Sequence, residues 1–147
     1  MKRADIFILV LLALLSSAVT AEDHEDAVYL YRSNIMEMAQ THLKALQKYV
    51  KGELPIEKHV PKHVDALLAL NSMYEDLFPA GKQHPESEAL PAVWSDPKGF
   101  RQGIHYNRKR IMALKQVDPA DMKTMKRAVN EVRMSCGDCH YFFKEGK

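Results

Sequence analysis

The stretch Val132-Arg133-Met134-Ser135-Cys136-Gly137-Asp138-Cys139-His140-Tyr141-Phe142-Phe143 lies close to the C-terminus of a 147-residue chain and decides how the rest is read. It holds both cysteines of the sequence, and a histidine directly follows the second. The spacing Cys-x-x-Cys-His is that of c-type haem attachment. Two thiols add to the two vinyl groups of one porphyrin, and the adjoining imidazole reaches its iron. On a helix Cys136, Cys139 and His140 stand at i, i+3 and i+4, so all three side chains share one face.

Other chemistries for this motif fit less well. A thioredoxin-like redox pair belongs beside a βαβ pattern, and no strand pattern is visible. A structural zinc site needs four ligands, and Cys136, Cys139 and His140 have no evident fourth. A disulfide across two intervening residues leaves His140 unexplained.

Working back from the motif, Met122, Met125, Val129, Val132, Cys136, Cys139 and Phe143 form one apolar stripe at helical spacing. This places the motif on the core face of the last helix. Asp118 is the expected N-cap, with Pro119 in the first helical position and Asp121 in the first turn. A third helix carries Phe100, Ile104, Ile111 and Leu114. Before it, residues 80–97 read as a polar loop containing Trp94, which is expected to pin the loop onto the bundle. A second helix spans about Val60 to Phe78, with Val64, Leu67, Leu68 and Tyr74 on its apolar face. A first runs from about Asp23 to Lys51, stopped by Gly52 and Pro55. Four helices, with short links between the first two and between the last two, predict an all-α, antiparallel four-helix bundle whose interior can house a cofactor.

The N-terminus reads as an export leader. Lys2 and Arg3 precede the apolar run Ile6–Leu15, and Val19-Thr20-Ala21 offers a cleavage site. The run is too short to span a bilayer comfortably. Residues 1–21 are therefore expected to be removed, leaving residues 22–147 as one domain with no stable membrane insertion. Bacterial c-type haem is attached outside the cytoplasm, so the expected location is the periplasm. With Lys2 and Arg3 set aside from the 21 basic residues, and Asp5 from the 19 acidic ones, charge is nearly balanced. Without a basic stripe, nothing points to nucleic acid.

Three segments carry a family resemblance. Cys136 to Lys144 places the motif near the C-terminus with an aromatic, basic tail. Arg32-Ser33-Asn34-Ile35-Met36 provides an Arg-x-x-x-Met segment on the first helix. Leu90-Pro91-Ala92-Val93-Trp94-Ser95-Asp96 precedes the third. In these the chain resembles the class II c-type cytochromes, the family of cytochrome c-prime and its low-spin relatives. The resemblance implies a bundle enclosing one covalently bound haem c, with Cys136 and Cys139 as attachment points. It makes His140 the proximal iron ligand and Met36 the distal one, with Arg32 placed to contact a propionate. It is also consistent with a homodimer through the first two helices.

The function expected on this reading is one-electron transfer with unidentified redox partner proteins, by a haem protein that is not an enzyme. The alternative is a five-coordinate cytochrome c-prime binding nitric oxide or carbon monoxide, in which Met36 is an apolar contact. A third, different class is a thiol–disulfide oxidoreductase using Cys136 and Cys139. No nucleophile–base pair, paired-carboxylate site or phosphate loop is apparent. His42 reads as a surface residue. His59 and His63 stand at i, i+4 but read as exposed, with Pro61 between them.

Overall fold

The computed structural model describes residues 21–80 and 83–146, with side chains from His24 onward. The expected leader lies outside the described residues, except for its last residue. Among the described residues five α-helices follow in order: α1 Ala21–Val50, α2 Val60–Asn71, α3 Ala92–Ser95, α4 Pro97–Lys115 and α5 Met122–Phe143. Among the described residues there is no strand, only an isolated antiparallel bridge between Ala89 and Lys144. No described helix is long and apolar enough to cross a membrane.

The four long helices form a closed ring. α1 packs on α2 and α5, α2 on α4, and α4 on α5. Ile35, Ala39, Leu46 and Val50 of α1 meet Val64 and Leu67 of α2, Ile111 and Leu114 of α4, and Met125, Val129 and Val132 of α5. Leu46, Met125 and Val132 are fully buried. At roughly 1.5–3 kcal/mol for each large apolar side chain taken from water, this centre holds the bundle together. The predicted all-α four-helix bundle is the observed one.

Local signals set the helix ends. α1 stops in a Schellman turn, where Glu53 N–H donates to Lys48 O (3.0 Å) and Gly52 N–H to Tyr49 O (2.9 Å). Gly52 takes the left-handed conformation, φ 78°, that this turn requires. α4 starts with Asp96 accepting from Gly99 N–H and with Pro97 in its first turn. Two boundaries differ from expectation. The second helix gives way after Asn71 to a 3-10 turn at Tyr74–Leu77. The last helix begins at Met122, not after Asp118, because its N-cap is Asp121, which accepts from Thr124 N–H at 3.1 Å. Asp118 instead closes the preceding turn by accepting from Ala120 N–H. Tyr49 Oη then ties that turn to α1 by donating to Pro119 O at 2.9 Å.

A smaller apolar cluster closes the end of the bundle that carries the motif. Val93, Phe100 and Ile104 are buried there, with Tyr74, Phe78, Trp94 and Phe143 packed against them. Trp94, Phe78, Phe100 and Phe143 run edge to face in sequence, with centroids 6.3, 5.0 and 5.2 Å apart. Trp94 Nε1 donates to Pro79 O at 3.0 Å, so this residue does pin the loop.

Candidate functional site

The last two turns of α5 carry Cys136, Cys139 and His140. Both cysteines are half-buried free thiols, and His140 is exposed. The fully buried line of α5 runs through Met125, Val129, Val132 and then Ser135. The expected stripe through Cys136 is therefore corrected by about one residue of helix rotation. The motif flanks the core, with its sulfurs inside and its imidazole reaching outward.

Cys136 is held by a buried polar chain. Asn71 Nδ2 donates to Asn107 Oδ1 at 2.9 Å and to Ile104 O at 3.3 Å. Asn107 Nδ2 donates to Ser135 Oγ at 2.9 Å and to Cys136 Sγ at 3.4 Å. Ser135 Oγ donates in turn to Val132 O. Three helices are thus tied together beside the first thiol. Asn107 lies at i+3 from Ile104 and i−4 from Ile111, so a polar residue interrupting an apolar stripe was the available signal for this network.

Cys139 sits against the backbone of α4. A Cβ at Gly103 would lie 3.2 Å from Cys139 Sγ and 3.9 Å from the Phe143 ring, so glycine permits the close approach. Burial pushes the Cys139 thiol up to about 11, with Cys136 adding to the shift. Burial also raises Cys136, partly opposed by the hydrogen bond from Asn107. Burial strongly raises the Tyr74 phenol too, followed by the influence of Cys136 and then Cys139, and its ring packs against the apolar cluster at this end of the bundle. Sequence reading saw Tyr74 only as an apolar-face residue. His140 is held below its usual range by desolvation first and then by Lys144, with Glu88 opposing. A neutral imidazole is the form that ligates metal.

The loop before α3 clamps this end. Leu90 N–H donates to Phe143 O (3.0 Å), Glu145 N–H to Glu88 O (2.7 Å), and Lys144 Nζ pairs with Glu88 Oε2 at 2.6 Å. Arg32 joins the same region. Its Nη2 donates to Ser87 Oγ at 2.6 Å, and its guanidinium lies 4.8 Å from the Phe78 centroid and 5.8 Å from that of Tyr29. Desolvation holds its pKa below the usual value. Met36 is half-buried and packs against the main core. Two thiols, a neutral imidazole one residue on, and a half-buried guanidinium at the same bundle end fit a covalently attached haem. The burial that raises both thiols runs against the lowered pKa that a thiol–disulfide oxidoreductase needs of its nucleophile.

His42 and His63 depart from their expected roles. Both are half-buried, and their Nδ1 atoms meet at 2.9 Å across α1 and α2. His59, by contrast, is exposed as expected.

The family model described as Cytochrome C' matches residues 27–144. Cytochrome c' from Pararhodospirillum photometricum is 30% identical over 122 residues, covering 82% of this chain and 98% of that protein. The crystal structure of cytochrome c' from Rubrivivax gelatinosus superposes with a TM-score of 0.71 at 27% identity, covering 80% of this chain and 94% of that one. A ferrous variant of cytochrome c prime from Alcaligenes xylosoxidans with bound nitric oxide superposes at a TM-score of 0.74 and 25% identity. It covers 84% of this chain and 97% of that one.

Proposed function

The chain belongs to the cytochrome c' family of class II c-type cytochromes, whose members carry covalently bound haem c, and from that premise we propose that it binds nitric oxide or carbon monoxide at an open iron position. Cys136 and Cys139 would hold the haem through thioethers, and His140 would be the proximal ligand. Bound there, the haem supplies an iron that takes up a diatomic gas or exchanges an electron. The observation that carries the gas-binding reading is the similarity, over most of both chains, to a cytochrome c prime with bound nitric oxide. The packing of Met36 against the main core supports its reading as an apolar contact rather than an iron ligand.

On this reading each residue has a definite task. Asn107 and Gly103 position the two sulfurs, Asn107 by a hydrogen bond and Gly103 by letting α4 approach Cys139. The edge-to-face rings of Phe78, Phe100 and Phe143 exclude water from this end. Arg32, without a carboxylate ion pair among the described residues, offers its charge to a propionate. Export to the periplasm, with removal of residues 1–21, belongs to the same proposal. So does self-association, for which exposed Leu30 and Tyr31 on α1 offer apolar surface.

The visible spectrum of the ferrous protein, recorded with and without carbon monoxide, is the test. A high-spin spectrum that shifts at once on adding the gas supports the proposal. Sharp low-spin bands and slow gas uptake would instead favour the electron carrier, with Met36 on the iron. Haem freely extracted by acid–acetone would remove Cys136 and Cys139 from their assigned role.

A further inference from the structure

Two histidines outside the haem-attachment motif meet across α1 and α2. His42 Nδ1 lies 2.9 Å from His63 Nδ1, with ring centroids 5.1 Å apart and planes inclined at 62°. A single shared proton serves that bond, so one ring donates and the other accepts. Desolvation, then His42, then His59 hold His63 below its usual pKa, which keeps its ring neutral near pH 7. Among the described residues no three His, Cys, Asp or Glu side chains gather at a metal-ion spacing, so the pair has no third donor of those types. The donor that α1 brings to the same face is soft. Met38 stands one turn before His42, is 44% exposed, and lines the same open concavity as His42.

We infer that His42, His63 and Met38 form a surface site for a soft, monovalent copper ion, bound by two imidazoles and a thioether and separate from the haem-attachment residues. Thioether sulfur selects Cu(I), whereas imidazole alone also suits zinc and nickel. Two nitrogens this close occupy neighbouring positions around an ion at bond lengths of about 2.0–2.1 Å. The proton balance is simple. The ring that now donates through Nδ1–H carries that proton on Nε2 instead, exchanged through solvent. Both Nδ1 lone pairs then face the ion, and no proton is released while both rings are neutral. The metal replaces one hydrogen bond, and α1 and α2 become cross-linked.

The test uses the haem-loaded protein, dialysed anaerobically against Cu(I) buffered with bicinchoninate, with copper and iron counted in the retained protein. One copper per iron is expected. His42→Ala and His63→Ala should each weaken copper binding at least as much as loss of an outer-shell partner does, about tenfold or more. His42→Gln, which can still hydrogen-bond His63 but lacks the imidazole, should behave like His42→Ala and guards against a packing effect. Met38→Leu should weaken Cu(I) binding but leave the binding of Zn(II), dialysed in the same way, unchanged. An unaltered haem spectrum in each variant reports an intact fold. Absence of retained copper, or equal copper in wild type and the histidine variants, overturns the site. Wild-type Cu(I) affinity in Met38→Leu overturns the assignment to a soft ion.

Discussion

Asn107 on α4 and Cys136 on α5 are joined by a hydrogen bond, Nδ2 to Sγ at 3.4 Å. The same amide donates to Ser135 and accepts from Asn71, so one buried side chain fixes the rotation of α5 relative to two neighbours. Asn71 Oδ1, buried without a partner, is the unsatisfied atom of this network. Buried networks of this kind specify geometry when satisfied and destabilise when broken.

Asn107→Leu should lower the stability of the haem-loaded protein by about 1–3 kcal/mol, because it leaves the Asn71 amide only the longer bond to Ile104 O and takes from Ser135 Oγ the donor it accepts from. Replacing Asn71 with leucine in the same chain should restore part of that loss, since removing both partners is less costly than orphaning one. Denaturant unfolding of the two single variants and the double variant measures this. Strictly additive losses would show that the two amides are not coupled.

Gly103→Ala should destabilise despite a better helix former at that position. The new methyl would lie 3.2 Å from Cys139 Sγ. Overpacking costs about 1–3 kcal/mol, against about 1 kcal/mol gained in helix propensity. A sulfur tied to a macrocycle cannot rotate away, so a net loss of roughly 1 kcal/mol is expected. A raised Tm in Gly103→Ala would show that α4 and α5 can part without cost.

Met36→Ala separates packing from ligation. As a half-buried packing residue, Met36 should cost about 1–2 kcal/mol on truncation, less than the 2–5 kcal/mol of a fully buried methionine. The visible spectrum of the haem-loaded protein should not change. A conversion from low-spin to high-spin bands in this variant would restore Met36 as an iron ligand.

Acid should loosen the clamp on the end of α5 through Glu88. Its carboxyl is held below the usual 4.5, chiefly by the hydrogen bond and charge of Lys144. A carboxylate with a depressed folded-state pKa contributes stability above its unfolded pKa and loses it as pH falls through the lower, folded value. The unfolding free energy should therefore decline below about pH 4.5 in wild type. In Glu88→Gln this part of the slope should vanish. Identical pH profiles would mean that the exposed pair contributes nothing measurable, as many surface pairs do.

Much of this protein could be read locally. The haem-attachment motif is a contiguous run of five residues, and the four long helices follow from apolar spacing, with Gly52 ending the first. The cap of the last was misplaced at Asp118, because Asp118 and Asp121 both have side chains able to cap and only Asp121 accepts from the first turn. The family itself was legible in the Cys136–Lys144 tail. Other features came only from how the helices rotate against one another. Successive helix residues point about 100° apart, so spacing could not say whether Ser135 or Cys136 lies on the fully buried line of α5. Packing of Asn107 against α5 decided for Ser135. In the same way His42 and His63, twenty-one residues apart, looked like two solvated side chains on separate helices. Only the docking of α1 on α2 brings their Nδ1 atoms to 2.9 Å. Hydrogen bonds between side chains on different helices depend on axial shift and rotation together, and those are settled by the whole core rather than by any single segment.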